Sequence, residues 1–340
     1  MSKHKITKIS DIEQSQLSEF YKEIYFERHK SLTNDWHWWY RVGYSNYEPL
    51  ICTVDKKVVG QAGTLPVDLN INGKNILGVW FLDFAVLKGF QKQGIGKNLI
   101  IKLMETCPNI ITLCNDKTLK LIKNSGWENN LSVSRLARPI NPTNFIPIVS
   151  KLKLKFLDNL YKKILKKKLK SPVLLSPKKV VNNYEVIKES FLKRNLENKK
   201  EDYPYIIRNE EWLNWRIMQC PYKKDLYFFE YKNNFSIVHI FSIKNIKRMN
   251  IIFNYFVDKS EETIFFDLII NWAINNNIDL VWAIKEVKSN NGKNIFPNEF
   301  KKPLNYACWS SNENTFEVLK NAPYNIECID SDIDSNMFKE

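Results

Sequence analysis

Glycine is nearly absent from the second half of this 340-residue chain: nine of its ten glycines lie at or before Gly126, and Gly292 is the other. Left-handed turns and close approach of backbone to an anion both favour glycine, so a phosphate-cradling turn is to be sought in the first half. Histidine is as scarce, with only His4, His29, His37 and His239. No two of them stand at a metal-ligand spacing, and no metal is expected. The six cysteines (Cys52, Cys107, Cys114, Cys220, Cys308 and Cys328) form no Cys-x-x-Cys pair. In a chain this long that pattern suits buried free thiols in a reducing compartment and weighs against disulfides and a structural zinc. No apolar run approaches the roughly 18 residues that cross a bilayer, and residues 1–13 are polar. A cytoplasmic, unprocessed protein is expected.

What is present is apolar and basic. Hydrophobic residues make up 44% and aromatics 13%, enough for two cores of ordinary domain size. The formal charge of +14 is concentrated: residues 151–170 hold nine lysines against the single Asp158 and so supply +8. That concentration argues against a nucleic-acid partner. In the same segment Leu154, Leu157, Leu160, Tyr161, Ile164 and Leu165 recur at helical spacing. The favoured reading is an interdomain helix with its apolar stripe packed inward; the alternative is weak contact with a membrane surface or another polyanion.

Turn residues and periodicity order the rest. A strand near residues 4–9 leads into a long helix from Ser10 to about Lys30, capped by Ser10 or Asp11, and an aromatic cluster follows at Trp36, Trp38, Trp39 and Tyr40. Three strands, 49–54, 58–70 and 76–87, are separated by the turns Asp55-Lys56-Lys57 and Asn72-Gly73. A helix over 95–106, a strand over 110–113, a helix over 116–124 and a strand over 133–137 complete a β-α-α-β-β-β-α-β-α-β order. The pattern then repeats. Trp212-Leu213-Asn214-Trp215-Arg216 echoes Trp36-His37-Trp38-Trp39-Tyr40, and strands at 226–231, 235–243 and 250–257 precede a helix over 261–275 and a strand over 279–284. The predicted organisation is an α/β chain with mixed sheets flanked by helices: a first domain over 1–142, a basic connector over 143–180 and a diverged copy over 181–340.

The chemistry is expected at Gln91-Lys92-Gln93-Gly94-Ile95-Gly96. A strand that ends in a glycine-bearing turn and opens a helix offers successive backbone N–H groups and the positive end of the helix dipole to an anion. Lys92 and Lys97 add charge. The corresponding junction of the second copy, 257–263, carries Asp258, Glu261 and Glu262, which would repel phosphate; the site is therefore placed in the first copy.

The run Asp83-Phe84-Ala85-Val86-Leu87-Lys88-Gly89-Phe90 followed by Gln91-x-x-Gly94-x-Gly96 resembles the signature of the GCN5-related N-acetyltransferase (GNAT) superfamily, in which this turn receives the pyrophosphate of coenzyme A. Asn115 and Gly126-Trp127 resemble that family's later Asn and Gly-Phe, and the likeness spans about residues 3–137. The echo in the second half implies a tandem member with a degenerate second copy. The resemblance implies acetyl-CoA or another acyl-CoA as co-substrate, bound by Phe84, Ala85, Val86, Gln91, Lys92, Gln93, Gly94, Ile95, Gly96, Lys97 and Asn115. It implies an acyl slot where the strand over 110–113 splays from the strand ending at Leu87. It also implies a small-molecule amine acceptor, such as an amino sugar, that attacks the thioester directly, with Asp83 as the base; His37, beside the aromatic cluster, is a second candidate. Where the family commonly places a tyrosine acid, this chain has Ile122, and Cys114 has no adjacent histidine to activate it. Two other readings stand beside this one: a non-catalytic binding protein that kept the fold, and an aminoacyl-tRNA-dependent peptidyltransferase of tandem architecture, against which the intact turn argues. An acceptor pocket between the copies is expected.

Overall fold

Turn chemistry sets the first strands. In the computed structural model, which describes residues 4–26, 28–145, 156–169, 175–198, 204–243, 245–256, 259–286, 300–320 and 326, β1 (Lys5–Lys8) pairs antiparallel with β2 (Leu50–Val54). Two tight hairpins then carry the chain into β3 (Lys57–Ile71) and β4 (Lys74–Val86). Asp55 and Lys56 (φ 48° and 66°), and Asn72 and Gly73 (φ 51° and 78°), all have positive φ, as a type I′ turn requires to match the twist of its strands. Between β1 and β2 the predicted long helix is two helices, α1 (Gln14–Ile24) and α2 (His29–Trp39). Ser10 and Asp11 lie in a 3-10 turn instead of capping α1; the cap is Glu13, which forms a reciprocal capping box with Gln16. The chain breaks between the helices where Tyr25 and Arg28 both reach for Asp83. Helix α3 (Ile95–Thr106), β5 (Asn109–Cys114), α4 (Asp116–Lys123) and β6 (Glu128–Pro139) follow in the predicted order.

Among the described residues the second half follows a related order, with β8 and a final helix added. After α5 (Phe156–Lys168) come β7 (Lys178–Lys179), α6 (Tyr184–Asn198), β8 (Tyr205–Ile206) and α7 (Glu210–Leu213), which runs into a π-helical turn. The series closes with β9 (Leu226–Tyr231), β10 (Asn234–Ile243), β11 (Ile246–Tyr255), α8 (Glu262–Asn275), β12 (Leu280–Glu286), β13 (Phe300–Ser310) and α9 (Glu313–Lys320). As β1 pairs with β2, β7 pairs with β9, and the β9–β10 turn again has two positive φ values, at Lys232 (48°) and Asn233 (64°). The aromatic motifs meet reciprocally: the Trp38 indole donates to the Trp215 carbonyl and the Trp215 indole to the Trp38 carbonyl, both at 2.9 Å. The two aromatic motifs thus hold each other across the junction of the halves.

Among the described residues the halves share one mixed sheet of 13 strands, ordered β1-β2-β3-β4-β5-β13-β6-β12-β11-β10-β9-β7, with β8 attached to β3. At its centre the last strands are exchanged. β13 pairs antiparallel with β5 (Cys308↔Ile111), while β6 pairs antiparallel with β12 (Ala137↔Trp282) and with β13. One apolar core (Ile51, Val59, Leu99, Leu103) belongs to the first half and a second (Leu165, Phe266, Ile270, Val281) to the other. A third draws Val67 and Trp80 together with Trp212, Trp215 and Phe253. The connector helix α5 packs on the second half through Leu165 and donates from Lys166 Nζ to the Asn275 side chain at 2.6 Å. Residues 146–155 and 170–174 of the predicted connector, and Val257 and Asp258 of the second strand-to-helix junction, lie outside the described residues.

Candidate active site

Strand β4 carries one residue more than β3 opposes. Gln61 faces Ala85 but Gly63 faces Leu82, so the extra residue falls at Asp83-Phe84, and Asp83 has φ 47°. Such a bulge re-aims side chains and bends the strand. It is held by a buried polar network. Arg28 Nη1 meets Asp83 Oδ1 at 3.0 Å, with the two side chains only 8% and 3% exposed. The Tyr40 hydroxyl donates to Asp83 Oδ2 (3.1 Å) and the Tyr25 hydroxyl to the Asp83 carbonyl (2.8 Å). The Gln61 amide donates to the Tyr40 oxygen (2.7 Å) and accepts from Tyr21 (3.0 Å). Burial first, and the Asp83 charge after it, push the Tyr40 hydroxyl well above its ordinary range, and burial likewise raises Tyr21; both remain proton donors to the network. Both Asp83 carboxylate oxygens are engaged by Arg28 and Tyr40, and its side chain is enclosed. Its geometry is that of an anchor for the bulge.

Just before the bulge the sheet opens. β4 and β5 pair in parallel only at Val79↔Ile110 and Trp80↔Ile111, although β4 continues to Val86 and β5 to Cys114. The Leu87 N–H donates to Val59 of β3, so by alternation the peptide groups of Val86 and Phe84 point the other way, into the gap. The Thr112 hydroxyl donates to the Phe81 carbonyl at 2.7 Å and closes the vertex. Phe81, flanked by Phe84 and Trp127 with ring centroids 5.3 and 6.0 Å away, lines the region below.

The turn lies at the mouth of this gap. Gly94 (φ 83°) is the N-cap of α3, with no side chain capping the helix, which leaves the first-turn N–H groups without intrahelical partners. A Cβ at Gly94 would meet nothing within 4 Å, whereas one at Gly96 would lie 3.3 Å from the Phe84 ring and 3.4 Å from Leu121. The first glycine leaves room beside the donors; the second lets α3 sit close to β4. Both glutamine side chains turn back on their own loop, Gln91 donating to the Val86 carbonyl (2.9 Å) and Gln93 to the Gly89 carbonyl (3.1 Å). They hold the loop while its backbone, with Lys92 and Lys97, stays at the surface. These features fit a diphosphate ester whose extended arm lies along β4.

The remaining expected residues have other occupations. The Asn115 side chain caps α4 by accepting from the Thr118 N–H at 3.0 Å. His37 is exposed and stacks on Trp36, ring centroids 3.5 Å apart. Ile122 is fully buried. Burial, and secondarily Asp116, push the Cys114 thiol up to about 12, so it is no nucleophile at neutral pH. The second half reaches this end of β5 through the exchanged strand: Asn305 Nδ2 donates to Asp116 Oδ1 (2.8 Å) and to the Cys114 carbonyl (3.3 Å). An open groove of about 450 Å³ is lined by Lys97, Met104, Asn124 and Trp309 of β13. Sequence reasoning missed Arg28, Tyr21, Tyr25, Tyr40 and Gln61 as a unit. The one local signal was Gln61, a polar residue inside an apolar strand.

Comparison with known proteins is consistent with this geometry. The Acetyltransferase (GNAT) family profile matches residues 8–127. No curated protein matches the chain. Among solved structures, a GCN5-related N-acetyltransferase from Anabaena variabilis superposes with a TM-score of 0.55 at 13% identity, over 91% of this chain and 73% of that one. Saccharomyces cerevisiae N-myristoyltransferase with bound myristoyl-CoA gives 0.55 at 14% identity, over 91% and 79%. A protein of unknown function from Enterococcus faecalis, described as a probable N-acyltransferase, gives 0.53 at 11% identity, over 90% and 72%. At these identities the likeness is one of fold.

Proposed function

We propose, from the match of residues 8–127 to the GNAT acetyltransferase family, that the chain is an acyl-CoA-dependent N-acyltransferase that moves a short acyl group, acetyl first, to the primary amine of a small molecule such as an amino sugar. The observation that carries the reading is the opening of β4 from β5 after Trp80 and Ile111, beside an uncapped helix N-terminus. The uncapped N–H groups of 94–97 with Lys92 and Lys97 would take the pyrophosphate. The inward N–H groups of Phe84 and Val86 would hold the pantetheine arm and polarise the thioester carbonyl, and amine attack there would release the thiolate. Short acyl groups are favoured because the Thr112–Phe81 bond and the Phe81 ring close the vertex. Asp83 is assigned the anchoring of the bulge, and the ammonium proton leaves through water at the open side of the gap. The acceptor pocket is proposed between the halves, where Asn305 enters.

Two observations, the engaged Asp83 and the buried Ile122, favour a second reading in which the chain binds acyl-CoA without turning it over. Calorimetry with acetyl-CoA on the native chain and on Gly94→Asp tests the site. Binding is expected for the native chain and a loss of at least about tenfold for the variant, since a carboxylate would stand among the phosphate donors. No binding by native protein would sink both readings. Thiol release measured across an acyl-CoA series and a panel of amines separates them: turnover that falls steeply from acetyl to long chains supports the transferase, and its absence with every amine supports the binding protein.

A further inference from the structure

Helix α5 is buried on one side and bare on the other. Its acidic residue, Asp158, turns inward and accepts from the Thr143 N–H (3.1 Å) and hydroxyl; Leu165 and Tyr161 pack into the second-half core beside it. Opposite them, Phe156, Leu160 and Ile164 follow one another at intervals of four and are 63%, 55% and 47% exposed. At 100° per residue these three lie on a single stripe, with Lys163 and Lys167 along it. Lys166 and Lys168 are also exposed and Lys162 half-buried, and with Asp158 inside, no acidic side chain of α5 faces outward.

Three large apolar side chains in line in water have no evident use in a solvated helix. The pattern demands a partner that is apolar beneath and anionic at its surface. Nucleic acid would satisfy the lysines but leave the apolar stripe without a partner. A second copy of this helix would bring lysines against lysines. A bilayer of anionic phospholipid supplies acyl chains to the stripe and phosphates to ammonium groups that reach past it on flexible stems.

We propose that α5 docks the protein on an anionic phospholipid surface, lying in the headgroup plane with Phe156, Leu160 and Ile164 dipped into the acyl boundary. No described helix is long and apolar enough to cross a membrane; the contact is peripheral. The proposal is independent of the acyl-transfer reading.

Sedimentation of the full chain with vesicles of phosphatidylcholine, alone or doped with phosphatidylglycerol, tests it. Binding is expected to the doped vesicles only and to weaken with salt, by about fivefold for each of Lys163→Gln and Lys167→Gln. The triple variant Phe156→Ser/Leu160→Ser/Ile164→Ser is expected to lose at least about tenfold while keeping the native melting temperature, because its positions are exposed. Failure to bind doped vesicles, or equal binding by the triple variant, would overturn the proposal. So would self-association that the triple variant abolishes, or nucleic-acid binding that depends on the lysines in a chain that ignores vesicles.

Discussion

At the scale of single residues, Asp83 shows how burial redirects a carboxylate. Its left-handed φ is one that aspartate and asparagine tolerate better than most residues, so Asp83→Asn keeps the bulge geometry available while removing half of a buried ion pair. Losing the charged partner of the buried Arg28–Asp83 pair is expected to lower the urea-unfolding midpoint. If Asp83 anchors the bulge, the variant's kcat/KM falls but its pH profile keeps the acidic limb; disappearance of that limb would make Asp83 the base after all. Burial also raises four thiols, Cys52 to about 11 and Cys107, Cys114 and Cys308 to about 12, from an ordinary 9.0. A group whose folded pKa lies above its unfolded value stabilises the fold fully below the unfolded pKa and progressively less as pH rises through the folded one. Thermal stability is therefore expected to hold to about pH 9 and decline steadily through pH 11 to 12, as melting curves across that range would show. A flat alkaline profile would mean the thiols are far better solvated than their burial indicates.

At the scale of elements, the strand gap depends on the bulge, and the bulge on Gly63. A Cβ there would lie 2.6 Å from the Leu82 carbonyl and 3.2 Å from the Tyr40 ring, neither of which moves without disturbing the network. Gly63→Ala is expected to destabilise by about 2 kcal/mol or more and to weaken acyl-CoA binding, whereas Gly43→Ala, at a turn with open space around it, should pay only the cost of its positive φ. Equal loss in the two variants, measured by denaturant midpoint, would show that Gly63 is not holding strands at contact distance. The α1–α2 break belongs to the same scale. The apolar spacing of Ile12, Leu17, Phe20 and Ile24 reads as one helix, and the pull of Asp83 on Tyr25 and Arg28, distant in the chain, ends it early.

At the scale of the whole molecule, the exchange of β6 and β13 makes each half depend on the other. A fragment ending near residue 145 would expose the β5 edge that β13 covers and leave β6 without either neighbour, a template for aggregation. Residues 1–145 alone are expected to be insoluble, and co-expression with residues 146–340 to restore a soluble complex that binds acetyl-CoA. A soluble, binding-competent fragment on its own would show that β6 can return to its own half. What the sequence determined by itself is local. The hairpins at Asp55-Lys56 and Asn72-Gly73, the glycine turn at 94–96, the alternation of elements and the repeat of the tryptophan motif all rest on short-range dihedral preference and periodicity. Only the tertiary structure decided which strand lies beside which, because the apolar pattern of a strand such as β6 or β13 does not name its neighbour. It also decided what Asp83, Asn115 and Gln91 do. Whether a polar side chain faces a ligand or another side chain depends on neighbours far away in the chain, and no local pattern encodes them.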